Sequence, residues 1–165
     1  MNHDPVRCRV SSWILKPILL ILVIVVQTIR QTMQKKMHNI SLHLQHRLPD
    51  LLALYAFGSR VSGNSGPLSD LDLAILAAGR TDPVALWTIA GELADIAGCP
   101  VDLIDLCAAN TVMQYRIITT GERLWTRNHQ SDLYESFILG AKSDLDEARA
   151  PLLERIRQEG TIHGR

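Results

Sequence analysis

Two short apolar runs, LLALYAF (Leu51–Phe57) and DLDLAIL (Asp70–Leu76), constrain this chain more than any other feature. Each is a compact apolar segment bounded by turn residues, the pattern of a buried strand. Between them lie Gly58-Ser59 and the ten residues RVSGNSGPLS, too rich in glycine and serine for helix or strand interior. The first run therefore ends in Gly-Ser, and the second opens on Asp-Leu-Asp. In a strand, residues two apart share a side, so Asp70 and Asp72 present two carboxylates together at the head of the second run.

The remaining chain supplies helices to cover such strands. NISLHLQHRLP sets Ile40, Leu44 and Leu48 four apart, the pattern of a short helix that opens near Met37 and stops at Pro49. TDPVALWTIAGELADIAGCP places Asp82 as N-cap and Pro83 at the first helical position, with Leu86, Ala90, Leu93 and Ala97 on one face and Gly98 with Pro100 at the end. Val101–Leu106 reads as a third strand, Asn110–Gly121 as a capped helix and ERLWT as a fourth strand. From His129 the tail is helical, with Phe137, Ala141 and Leu145, then Leu152 and Ile156, on apolar faces and Pro151 kinking or splitting it. Strands alternating with helices before a helical tail predict an α/β (α+β) fold, a small sheet covered by helices.

The N-terminal segment WILKPILLILVIVVQTI is set apart from this pattern. Its uninterrupted apolar part, Ile18–Val26, is shorter than the roughly 20 residues of a spanning helix. Basic residues on both sides, Arg7, Arg9 and Lys16 against Arg30, Lys35 and Lys36, leave no orientation bias, and no small-residue cleavage site follows. Three readings are open: a start assigned too far upstream, a membrane anchor, or an extra packed element. The first is favoured because Met33 and Met37 stand just before the globular pattern begins. The organisation expected is thus an extension over 1–36 and a working domain over 37–165, with membrane association disfavoured.

Charge narrows the function. Lys+Arg and Asp+Glu both number 17, so no bulk polyanion surface exists and direct nucleic-acid binding is not expected. Cys8, Cys99 and Cys107 form no close-spaced metal pattern, which points to a reducing, cytoplasmic setting. The carboxylates speak more directly. Asp70 and Asp72 repel unless a cation lies between them, and a hard divalent ion such as Mg²⁺ takes oxygen ligands while keeping positions open for phosphate. Gly58 permits close approach of backbone to a ligand, Ser59 offers a hydroxyl, and amides at the turn favour an anion. Arg60 is a candidate phosphate or pyrophosphate partner. A third carboxylate would complete a two-metal site. Asp102 and Asp105 stand at odd separation, so only one can join the pair. Asp102, early in its strand as the pair is in its own, is the choice, and Asp105 is assigned a structural role.

Gly58-Ser59, ten residues, Asp70-Leu71-Asp72, and then Asp102 resemble the GS-x10-DxD signature of the polymerase-β-like nucleotidyltransferase superfamily. The likeness runs from about Leu48 to the C-terminus. VDLIDLCAANTVMQYRIITTGERLW is similar to the minimal nucleotidyltransferases, and LLERIRQEGTIHGR to the tail of the MntA-type antitoxins among them. The resemblance implies that superfamily's fold, a mixed sheet with helices. It implies Mg²⁺, two ions, with ATP as substrate, and transfer of AMP to a tyrosine of a HEPN-domain ribonuclease toxin encoded alongside. Gly58, Ser59 and Arg60 would then bind the nucleotide, while Asp70, Asp72 and Asp102 would serve as metal ligands and catalytic groups. No appended substrate domain follows, which makes a small-molecule (antibiotic-type) acceptor the alternative, and an antitoxin acting by binding alone the alternative of another class.

The plainer readings cover the rest. His38, His43 and His46 suit a solvated helix face. Tyr115 and Trp87 suit core or interface, and Arg149, Arg155 and Arg157 among Glu147, Glu154 and Glu159 suit a charged face or the rim of an interface.

Overall fold

The computed structural model describes residues 12–63, 66 and 69–159. Cys8, Arg7, Arg9, Pro67 and residues 160–165 lie outside the described residues. Its elements run α1 (Ser12–Arg47), β1 (Leu51–Phe57), β2 (Leu71–Ala77), α2 (Pro83–Ala97), β3 (Val101–Asp105), α3 (Thr111–Thr120), β4 (Glu122–Thr126) and α4 (Gln130–Glu159). The contacts divide the chain into two units, Met1–His38 and Asn39–Arg165.

In the second unit the four strands form one sheet in the order β3-β2-β1-β4. β1 is antiparallel to both β2 and β4, and β2 is parallel to β3, so the sheet is mixed as expected. The parallel pair needs a crossover, which α2 supplies. Asp82 caps α2 by accepting the Ala85 N–H at 3.1 Å, and Gly98 ends it in the left-handed conformation. Its buried stripe is Leu86, Ile89, Leu93 and Ala97, with Ile89 taking the place predicted for Ala90.

Strand alternation sorts the sheet into two faces. One carries Ala53, Tyr55, Phe57, Ala74 and Leu76, packed with Leu106 and Ile117 into a core under α3 and α4. The Tyr55 hydroxyl donates to Glu135 of α4 at 2.7 Å, and Arg123 of β4 joins Glu135 and Asp132 in the same network. Burial and the Glu135 carboxylate push the Tyr55 hydroxyl far above its ordinary pKa, so it remains a donor. The other face carries Leu71, Leu73, Ile75 and Leu103 beneath α2.

Five local expectations are corrected. The opening helix does not begin near Met37. It is the last part of α1, because no glycine or proline stands between Ile18 and Arg47 to stop it. Ile40 and Leu44 are fully buried, and His43 and Arg47 reach Glu92 of α2 at 2.6 and 3.1 Å, so His43 is partnered rather than simply solvated. β2 starts at Leu71, which leaves Asp70 just ahead of the strand. Pro151 does not split α4, which continues as one helix through exposed residues where water can take the carbonyl that proline leaves unpaired. Phe137 is 68% exposed, and Ile138 instead faces the core.

In the first unit, Leu19–Val26 are all exposed, at 42–62%. Among the described residues no helix is long and apolar enough to cross a membrane.

Asp105, 4% exposed, has the structural role expected of it. Its carboxylate accepts the Thr81 and Cys107 backbone N–H groups, each at 2.9 Å, and so ties the loop after β2 to the end of β3. Asp105→Ala strands both donors and is expected to lower the unfolding free energy by about 3 kcal/mol. Urea denaturation measures this, and a change below about 0.5 kcal/mol would remove the anchoring role.

Candidate functional site

Register assembles the site. Asp72 pairs across the ladder with Phe57 on one side and Asp102 on the other, and cross-strand partners point to the same face. Asp72 and Asp102 therefore project together, on the side where the first core layer ends, and Asp70 precedes them by one strand period. Partial burial and, next, the Asp102 and Asp70 carboxylates push the Asp72 carboxyl above its ordinary range, against a downward pull from Arg60. The three carboxylates chosen from sequence thus share one electrostatic neighbourhood, while Asp105 is buried on the opposite face.

Gly58 is fitted to this cluster. Its φ of +77° is in the left-handed region, and a Cβ built on it would lie 2.0 Å from Asp72 Oδ2. The carboxylate occupies the space that any other residue's side chain would need. From here the chain makes one tight turn, in which the Ser62 N–H donates to the Gly58 carbonyl at 3.1 Å and the Ser62 hydroxyl donates to the Ser59 carbonyl at 3.2 Å. Ser59 is half-buried, and the leading amides of such a turn have no carbonyl partners inside it.

Arg60 has a role in this arrangement that the sequence did not suggest. Its Nε donates to the carbonyls of Ser69 and Asp70, each at 3.0 Å, and Nη2 also donates to the Ser69 carbonyl. One guanidinium thus closes the mouth of the ten-residue loop and fixes the backbone that carries Asp70. Ser69 adds to the closure: its hydroxyl accepts the Gly66 N–H at 2.8 Å, and its own N–H donates to the Gly66 carbonyl at 3.1 Å. The only trace of this in the sequence is the turn-forming GPLS, with proline in the second position.

Three carboxylates with one guanidinium engaged nearby fit a divalent cation. Among the described residues no three acidic, imidazole or thiol groups stand close enough together to hold a metal ion by themselves. An ion here would have to draw on one or two of these carboxylates together with water and phosphate oxygens, as Mg²⁺ does.

Comparison with known proteins follows the same residues. The family model described as "Polymerase beta, Nucleotidyltransferase" matches residues 38–130. The protein adenylyltransferase MntA of Shewanella oneidensis is 32% identical over 113 residues, 68% of this chain and 81% of its own. Among solved structures, a toxin–antitoxin complex with AMP-PNP superposes with a TM-score of 0.66 at 30% identity, covering 75% of this chain and 98% of the matched one. A complex of the tri-AMPylated Shewanella oneidensis HEPN toxin with its MNT antitoxin gives 0.64 at 29% identity, with the same coverage.

Two substitutions test the geometry. Gly58→Ala meets both the clash and the positive φ, and is expected to cost about 2 kcal/mol or more in urea denaturation; a neutral result would mean that Asp72 is held elsewhere. Asp72 holds its proton more tightly folded than unfolded. Its ionisation therefore opposes folding, and stability falls as pH rises through the folded pKa. In metal-free buffer at pH 7 Asp72→Asn should melt above the parent chain, and the gap should close below about pH 3.9. A variant that melts lower at neutral pH would contradict the repulsion.

Proposed function

Because the chain belongs to the polymerase-β nucleotidyltransferase family, its match running over residues 38–130, we propose that it is a Mg²⁺-dependent protein adenylyltransferase acting as an antitoxin. It moves AMP from ATP to a tyrosine hydroxyl of a partner HEPN-domain toxin and so silences it. The working unit is residues 37–165. The observation that carries this reading is Asp72 packed against Gly58 at the end of the sheet, with Asp102 as its cross-strand partner and the Asp70 carboxylate within electrostatic reach. The relatives named MntA and the AMPylated-toxin complex support the choice of acceptor. They favour a protein acceptor over an antibiotic-type small molecule.

The transfer is a substitution at the α-phosphorus of ATP. The acceptor oxygen forms a bond to that phosphorus, the bond from it to the bridging oxygen of the β-phosphate breaks, and pyrophosphate leaves. Asp102 takes the proton of the acceptor hydroxyl. The Gly58–Ser59 turn receives the triphosphate through backbone amides and the Ser59 hydroxyl, an anion site at the start of a helical turn. Arg60 acts beside it, through the loop it closes and through its positive charge toward the phosphates. Asp70 and Asp72 would hold Mg²⁺, two ions with Asp102, which when bound lowers the pKa of the attacking hydroxyl and steadies the leaving oxygens. Cys99 and Cys107 are free thiols, in keeping with the reducing cytoplasm where ATP is plentiful.

The experiment incubates the protein with ATP labelled at the α-phosphate, Mg²⁺ and the HEPN protein encoded beside it. Label is expected on a tyrosine of that partner. Asp70→Ala or Asp72→Ala should reduce transfer at least about a thousandfold while the fold still melts cooperatively. An Asp70→Ala protein that still neutralises the toxin, with no label transferred, would replace this reading by neutralisation through binding alone. Label on a small molecule in place of the partner would restore the antibiotic-type reading.

A further inference from the structure

β3 is the outer strand of the sheet, and the side away from β2 is open. The Pro100 carbonyl accepts the Leu71 N–H at 2.9 Å and the Leu106 N–H donates to the Ile75 carbonyl at 2.8 Å, so these alternating residues bond inward to β2. In a parallel ladder the intervening residues, Val101 and Leu103, then turn their N–H and C=O groups outward. No described residue takes them. They lie in a groove of about 710 Å³ between β3 and α2, whose walls include Leu86, Trp87, Ala90 and Asp102. Trp87 is 80% exposed and Val84, one helical turn before it, 70% exposed. An aromatic ring so exposed beside an unpaired strand edge is the composition of a binding surface.

The occupant is set by what the groove offers. Of its acidic lining residues, Asp102 turns its carboxylate to the other face of the sheet, and Glu92 is already engaged by His43 and Arg47. It lines no cation for a phosphate. What it offers is a row of backbone donors and acceptors between apolar walls, which suits an extended polypeptide that adds itself as a strand. Asp102, next to Val101 and Leu103 in sequence, turns its side chain to the opposite face, toward the carboxylate cluster. A strand added to this edge would place one of its own residues directly opposite Asp102, on the same face and with Cβ atoms roughly 5 Å apart.

We infer that the acceptor segment of the partner protein docks as an extended strand along the outer edge of β3, against Trp87, with its hydroxyl-bearing residue opposite Asp102. This rests on the adenylyltransferase reading and adds to it the means of delivery. Asp102 thereby serves both as part of the binding edge and as proton acceptor, and the apolar residues flanking the acceptor tyrosine contact α2.

The test measures AMP transfer to the neighbouring HEPN protein at sub-saturating partner, together with Mg·ATP affinity by calorimetry. Trp87→Glu changes an exposed side chain, and Val101→Pro removes an outward N–H while sparing the ladder to β2. Each is expected to lower kcat/KM for the partner at least about tenfold, with Mg·ATP affinity unchanged. A Trp87→Glu protein that transfers at the parental rate overturns the docking surface. So does a folded Val101→Pro protein that transfers normally. If Trp87→Glu instead weakens Mg·ATP binding by a comparable factor, the groove holds the nucleotide and the inference fails. If the parent chain itself labels no partner, the functional reading fails, and the docking inference with it. Parental transfer that survives in both variants removes the docking inference alone.

Discussion

The concentration of negative charge at one end of the sheet is the constraint on which the other features of the site depend. Asp72 and Asp102 are adjacent because β2 and β3 run parallel in that register, and Asp70 stands just ahead of the strand, its backbone held by Arg60. A crossover helix is needed to make two neighbouring strands parallel, so α2, with its Asp82 cap and its buried stripe, is in effect part of the site. The repulsion this creates is offset locally by little more than Arg60. Such a cluster is a poor arrangement for stability and a good one for holding a cation and a nucleotide.

Much of this was legible in the sequence because the signals were local. Leu51–Phe57 and the strand ending in Leu76 announced themselves as apolar runs, and α2 and α3 declared both ends through Asp82, Gly98, Asn110 and Gly121. Side-chain alternation said that only one of Asp102 and Asp105 could join the pair, and position early in the strand chose Asp102; the fold puts the two on opposite faces, Asp102 exposed near the other carboxylates and Asp105 buried beneath backbone amides. Strand order and sense were not legible, since no local residue pattern says that β4 returns to β1. The role of Arg60 was also hidden: a guanidinium that chelates carbonyls nine and ten residues away is a tertiary fact. The start of α1 was misjudged because a methionine and a change in patterning near residue 37 do not stop a helix, and no glycine or proline between Ile18 and Arg47 does so. Phe137 was misplaced for a related reason, as the weak amphipathicity of α4 leaves neighbouring faces nearly equivalent until contacts decide between them.

The two faces of the sheet divide the labour. The face under α3 and α4 combines a packed core with a polar network, in which Tyr55, Glu135 and Arg123 join strand, helix and the β4 edge. That network consumes its charges internally. Among the described residues the carboxylates at the sheet's end have no comparable network of partners, Arg60 being the one cation that acts on Asp72. The groove by α2 is different again, with apolar side chains and unpaired backbone. On the proposed reading, nucleotide chemistry and protein recognition would draw on different parts of a small domain and meet at a single residue, Asp102.

The strand order also has a consequence for the sequence of events as the chain is made. The three strands that carry the carboxylates and the glycine turn are contiguous in sequence, from Leu51 to Asp105, and are complete before β4 emerges. Until Glu122–Thr126 arrives, β1 is itself an open edge beside a nearly finished site. The C-terminal third of the molecule thus acts as a seal on the far side of a centre that is already laid out. Vectorial synthesis places the risk of mispairing at β1, while β3 remains the outer strand throughout.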